Sequence, residues 1–245
     1  MILFGVNPVR AAIAAKRPIE KILISTSAHR SRFTDLLKEA RERGIPVQFV
    51  PADALAKRAG THNHQGIIAV VAEITPISLE ELIEMCQSKE KHPLITVLDG
   101  IEDPHNLGAI LRSAEAAGFC GAVVPKRHTS PLSPAVAKAS AGAIEYLPIA
   151  KVENLTQALR RLKEQGFWIV GTDSSAEMPY WQLSVDLPLA VVIGSEGKGI
   201  RRLVKEHCDF LVRIPMVGKT ESLNASVAAG ILFFDILRKR QSQGS

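Results

Sequence analysis

Three polar stretches of this 245-residue chain hold the residue types that could do chemistry. The first spans residues 99–108 (DGIEDPHNLG) and runs on to Arg112. Asn106 can cap a helix through its side-chain oxygen, or it can orient a ligand. Arg112 is a permanent cation with five donors. It can face the loop, or pair with Glu115 on the helix surface. The second stretch is GSEGKG, residues 194–199, between an apolar strand and a helix. Its glycines admit positive φ and let the backbone approach a ligand closely; a tight strand-to-helix turn needs the same freedom. The spacing is neither GxGxxG nor GxxxxGK[ST], so no dinucleotide fingerprint or P-loop is matched. The third stretch is residues 214–226 (IPMVGKTESLNAS). Ser222 reads as the N-cap of the helix that follows. Asn224, polar at the head of a helix rich in Ala, Val, Ile, Leu and Phe, points to a ligand.

Other chemistries fit less well. His62 and His64 are close, but no cysteine or carboxylate completes a metal set. A GxSxG elbow is absent. Cys86, Cys120 and Cys208 are scattered, without a CxxC, which favours a reducing compartment over a disulfide framework. No signal peptide and no apolar run of about 18 residues is visible. A cytoplasmic protein without a membrane partner or metal is expected. Lys126-Arg127-His128 forms a basic loop, either an RNA contact or a solvated turn.

The elements that must position the three stretches alternate between helix and strand. Asn7-Pro8 reads as a helix start, running to Ala15. Strands are expected at residues 21–25, 47–50 and 66–74, with helices at residues 33–44 and 53–59 between them. Ser78 and Glu81 form a capping-box pattern for a helix to about Ser88. KEKHP (89–93) reads as linker within a boundary region at residues 75–93. Beyond it come LITVL (94–98), a helix at 107–117, a strand at 121–124, and helices at 133–143 and 154–165. FWIVG (167–171) and LAVVIG (189–194) follow, then a helix at 200–207, a strand at 210–214 and a long helix at 222–240. Continuous apolar strands separated by helices predict an α/β fold with a mostly parallel sheet covered on both faces. Ligands in such sheets sit at the carboxyl ends of the strands.

The charge is uneven. The chain holds 30 Lys and Arg against 25 Asp and Glu, net +5. Residues 1–73 hold 11 basic and 6 acidic residues, and the remainder holds 19 of each. A basic excess in one segment suggests a polyanion-binding module attached to a neutral one. Only 12 residues are aromatic, so contact by charge, backbone and shape is expected rather than extensive base stacking.

Taken together and in order, DPHNLGAILRSAEAAG, GSEGKGI and IPMVGKTESLNASVAAGI resemble the three motifs of the SpoU family of RNA ribose 2′-O-methyltransferases, in the SPOUT superfamily. The basic N-terminal part resembles that family's substrate-binding domain. HQGIIA (64–69) is similar to the branch that methylates a guanosine in large-subunit (23S) ribosomal RNA. The resemblance implies an RNA-binding domain over residues 1–74 and an α/β-knot methyltransferase domain over residues 94–245. It implies S-adenosylmethionine as cofactor, held by Thr172, Gly194, Ser195, Gly197, Ile214, Met216 and Leu223. Asn106, Arg112, Glu196, Ser222 and Asn224 are the implied catalytic residues. Arg10, Arg30, His64, Gln65 and Arg112 are the expected RNA contacts. A homodimer acting on ribosomal RNA is implied, with Arg112 reaching across the interface. The alternatives are a transfer RNA ribose methylase or a resistance methylase of the same family, and a non-catalytic ribosome-assembly factor.

Overall fold

A computed structural model describes residues 1–220 and 222–243. Its elements are, in chain order, β1 Ile2–Phe4, α1 Val6–Ala14, β2 Ile19–Ser25, α2 Thr34–Glu42, β3 Val47–Val50, α3 Ala52–Ala59 and β4 Ile67–Val71. Next come α4 Leu79–Lys89, β5 Leu94–Asp99, α5 Pro104–Ala116, β6 Gly121–Pro125, α6 Pro134–Ala139, β7 Ile149–Val152, α7 Leu155–Glu164 and β8 Trp168–Thr172. The last are β9 Met178–Pro179, β10 Leu189–Gly194, α8 Arg202–Lys205, β11 Phe210–Arg213 and α9 Ala225–Gln243. They form two compact units, one of residues 1–75 with 131–146, the other of residues 76–130 with 147–245.

The first unit holds a mixed four-stranded sheet, ordered β1-β4-β2-β3. Only β2 and β3 are parallel; β4 is antiparallel to both β1 and β2. Ile22, Leu23 and Ile24 of β2 are all fully buried, because both faces of this sheet are covered. Leu23 and Ile68 pack with Leu55 of α3. Helix α1 starts one residue before Asn7, with Gly5 (φ 95°) at its N-cap. Asn7 therefore caps nothing. The Val6 N–H is satisfied instead by the Gln65 side-chain oxygen at 3.0 Å.

Residues 131–146, read from sequence as part of the catalytic domain, pack with this first unit. The helix expected at 133–143 stops at Ala139, because Ala141 (φ 51°) and Gly142 (φ 94°) turn the chain. Glu145 then reaches Arg17 at 2.6 Å, and both side chains are nearly inaccessible. Burial pushes the Glu145 carboxyl upward, opposed by the Arg17 charge.

The second unit is a three-layer sandwich around a seven-stranded, wholly parallel sheet, ordered β7-β6-β5-β10-β8-β11-β9. All of β5, β6 and β10 is buried, as continuous apolar runs require in a sheet covered on both faces. The boundary region at residues 75–93 holds α4, the helix expected after Ser78. Its Leu79, Leu82, Ile83 and Cys86 join a core cluster with Leu159, Leu162 and Val192. Its Ser78–Glu81 capping box is present as expected. On the opposite face Phe119 and Phe233 pack with ring centroids 4.3 Å apart and planes tilted by 44°.

Register fixes the site. Asp99 at the end of β5 lies opposite Gly194 at the end of β10, and Thr172 at the end of β8 lies opposite Val212 of β11. The chain turns outward from β5 to β6 on one side, while β10 and β8 lie on the other. The loops leaving β5 and β10 thus diverge at the switch point of the sheet, the usual ligand crevice. Among the described residues no helix is long and apolar enough to cross a membrane.

Candidate active site

The three polar stretches meet at this carboxyl edge. Asp103, not Asn106, caps α5: its carboxylate accepts from the N–H groups of His105 and Asn106, both at 3.2 Å. Pro104 takes the first helical position, where a missing N–H costs nothing. The Asn106 side chain is thereby released from capping. Its Nδ2 donates to Glu196 Oε1 at 3.1 Å.

Asn224, not Ser222, caps α9. Its Oδ1 accepts from the N–H groups of Ser226 (2.9 Å) and Val227 (3.3 Å) and from Ser226 Oγ (2.6 Å). Its Nδ2 donates to Asn106 Oδ1 at 2.9 Å and also to Glu196 Oε1. Glu196 further accepts the Ala225 N–H at 3.3 Å. One carboxylate at the N-terminus of a 19-residue helix therefore gathers all three stretches, where the helix dipole favours negative charge.

The glycine loop between β10 and α8 is a tight turn. Ser195 and Gly199 exchange backbone hydrogen bonds at 3.1 and 2.8 Å, and Gly197 and Gly199 have φ of 76° and 63°. The helix expected at 200–207 is shorter than read, Arg202–Lys205. A side chain at Gly194 would overlap the backbone of Gly199 and Ile200.

Beneath the carboxylate lies a cavity of about 230 Å³. Thr172, Gly194, Ser195, Gly197, Ile214, Met216 and Leu223, the seven expected cofactor residues, all line it, and Ser222 does too. Asp173 and Ser174 also line it and escaped the sequence reading. Burial works upward on the Asp173 carboxyl, but hydrogen bonds from Lys205 and Ser175 outweigh it and hold the group below its ordinary range. The signal available was position alone, since both residues directly follow a strand end.

Arg112 does not join this network. It lies six residues beyond Asn106, about 9 Å along the helix axis and a third of a turn away. It is exposed. Among the described residues it has neither the Glu115 ion pair nor any other hydrogen-bond partner. Glu221 of the third stretch lies outside the described residues. In the first unit, Arg10 is exposed, and Arg30 stacks over the Phe49 ring at 4.6 Å. Gln65 (φ 56°) is exposed, with its side chain engaged by Val6. His64 is 7% exposed, and its Nδ1 accepts the Gly66 N–H at 3.0 Å. Burial, then the neighbouring His62 charge, lowers its basicity. That ring is spent on the turn before β4 and is poorly placed to meet a polyanion.

Residues 93–234 match the model of the SpoU rRNA methylase family, and residues 2–76 match that of the RNA 2′-O ribose methyltransferase substrate-binding domain. The chain belongs to the SpoU methylase family. Among its relatives, a Bacillus subtilis protein named as a TrmH family tRNA/rRNA methyltransferase is 44% identical over 242 residues, covering 99% of this chain and 97% of that one. A Staphylococcus aureus protein carrying the same family name is 44% identical over 245 residues, covering 99% of this chain and 98% of that protein. A solved RNA 2′-O ribose methyltransferase aligns with a TM-score of 0.80 at 27% identity, covering 98% of this chain and 89% of that one. The SpoU methyltransferase AviRb of Streptomyces viridochromogenes, solved with AdoMet, shares the fold with a TM-score of 0.81 at 24% identity, covering 99% and 91%. This SpoU protein is accordingly an RNA methyltransferase, with a methylase domain preceded by a substrate-binding unit.

Proposed function

We propose that this SpoU protein methylates the ribose 2′-OH of a guanosine in 23S ribosomal RNA, working as a homodimer in the cytoplasm. The Asn106–Glu196–Asn224 network beside the cavity carries the reading. It joins three segments far apart in sequence around the rim of one pocket.

The cavity fits S-adenosylmethionine. Ile200, Ile214 and Leu223 offer apolar surface for a flat base, and Thr172 and Ser195 offer hydroxyls for a ribose or an amino-acid tail. When bound, the cofactor supplies a methyl group on a sulfonium, which needs no further activation. The chain must therefore place the 2′-oxygen in line and let its proton leave. Asn106, Asn224 and the Ala225 N–H all donate to Glu196 Oε1, so this carboxylate fixes the loops. A guanidinium is a donor with no acceptor site, so Arg112 orients the ribose or its phosphate rather than acting as a free base. The proton passes to water at the open rim.

Arg112 stands apart from the network and unpaired, which favours service to the site of a second subunit. On α9, Val227 and Phe234 lie on one face, 49% and 48% exposed, and their burial against a partner would supply the contact. In this reading Arg10, which is exposed, and Arg30 of the basic unit hold RNA phosphates. The guanosine and the ribosomal substrate rest on the HQGIIA resemblance.

The test is methyl transfer from labelled S-adenosylmethionine to unmodified transcripts of large-subunit ribosomal RNA and of transfer RNA. One alkali-resistant guanosine in the ribosomal transcript is expected. Arg112→Ala should abolish transfer while cofactor affinity stays within twofold. Label confined to transfer RNA would overturn the substrate, and normal turnover by the Arg112 variant would remove that residue from the mechanism.

A further inference from the structure

A second cleft, of about 540 Å³, opens at the carboxyl ends of β6 and β7. Its walls come from three segments: Arg127 and His128 after β6, residues 153–156 at the start of α7, and Arg201 with Arg202 and Leu203 at the start of α8. Arg201 directly follows the glycine loop and Ile200, so the cleft adjoins the candidate active site along the chain.

The cations of this cleft differ in how they are held. Asp99, at the end of β5, has a side chain with no solvent exposure. It accepts the Arg201 backbone N–H at 2.8 Å and Arg201 Nε at 2.6 Å. The terminal nitrogens of the Arg201 guanidinium take no partner among the described residues, and the side chain remains 54% exposed. A buried carboxylate thus fixes one side of an arginine and presents its fork outward. Arg127 has no ion pair among the described residues. Arg202 is 85% exposed, 3.7 Å from Glu206. Two carboxylates are near: Glu153, in the wall itself, engages Lys126 and feels the Arg127 charge, and Glu102 lies 3.3 Å from His128. The helix N-terminus in the wall is already satisfied, since Asn154 Oδ1 accepts the Thr156 and Gln157 N–H groups.

We infer that this cleft is a phosphodiester-binding subsite, holding the RNA backbone next to the target nucleotide through Arg127, Arg201 and Arg202. The inference rests on the RNA-methylating reading above. Planar arginine forks match phosphate oxygens in pairs, and the pinned Arg201 needs little ordering on binding. Leu203, 56% exposed at the mouth, offers an apolar surface to a ribose or base.

The test uses the full-length protein, a transcript of large-subunit ribosomal RNA and a salt series. Each phosphate contact to single-stranded RNA adds roughly 0.7 to the slope of log affinity against log salt. The Arg127→Ala/Arg202→Ala double variant should therefore lose about 1.4 from that slope. Its KM for RNA should rise roughly tenfold, with kcat and cofactor affinity holding. The Arg127→Lys/Arg202→Lys variant should recover the slope, which a purely structural role would not require. A double variant with the wild-type slope and KM overturns the subsite while wild-type methylation stands. Wild-type protein that binds no RNA overturns both the subsite and the reading beneath it.

Discussion

Asn224 does two jobs that substitution can separate. Its oxygen caps α9 and its amide bridges to Asn106 and Glu196. Asn224→Ala removes both, and losing the cap alone costs about 1 kcal/mol, or about 3 °C of Tm in a chain of this size. Asn224→Asp keeps a capping oxygen but replaces the amide donor with a second carboxylate against Glu196. Two unit charges about 4 Å apart in a water-like medium repel by about 1 kcal/mol. Such a neighbour raises a folded-state carboxyl pKa. The deficit is therefore absent below the ordinary carboxylate range and grows as pH rises through the raised value. At pH 7 and low salt Asn224→Asp should lose about 3 °C. If the loops must close to bind cofactor, its affinity should fall about fivefold. In 1 M salt, where the screening length is about 3 Å, most of that loss should return, whereas the Asn224→Ala loss should not. Thermal melts and titration calorimetry across salt check this. An Asn224→Asp protein that equals wild type in 20 mM salt would refute the claim that Glu196 gathers the loops.

Two further outcomes follow from packing. Gly194→Ala places a methyl group against the backbone of Gly199 and Ile200. It should cost about 1–3 kcal/mol and abolish cofactor binding, as read by calorimetry alongside a thermal melt. Glu145 has its carboxyl pKa raised by burial, so its stabilising contribution is present at low pH and lost as pH rises through the raised value. Glu145→Gln should flatten that decline, giving a smaller drop in urea midpoint between pH 5 and pH 8 than wild type.

The sequence disclosed the strand and helix succession well where apolar runs were long, as in residues 94–98 and 189–194. It also found the short strands β3 and β11 but missed β1 and β7. Residues 2–4 and 149–152 form strands only because neighbouring strands offer ladders to them, and three or four residues carry no period of their own. Cap assignments slipped for a different reason. Asn7, Asn106 and Ser222 are all good capping types, but Gly5, Asp103 and Asn224 stand nearer the true helix starts. The helix before KEKHP was legible from its capping box, but its place in the core of the second unit was not, because its apolar partners lie far along the chain. The cavity residues were legible through motif resemblance. The bonds joining Asn106, Glu196 and Asn224 were not, because contacts across 28 to 118 residues leave no local pattern.

The first unit is built from two lengths of chain, residues 1–75 and 131–146. The second length is no passive loop: Gly142 packs on Ala11, Glu145 holds Arg17, and Val136 and Ala137 are fully buried. Such a unit cannot be traded between proteins by a single splice. A recombination joint near residue 75 would hand the recipient a binding unit missing one wall, and would leave the donor an apolar hairpin exposed to proteases and self-association. Inheritance of the two units is thus coupled through this short return segment. A chimaera that changes RNA target must carry residues 131–146 along with residues 1–75.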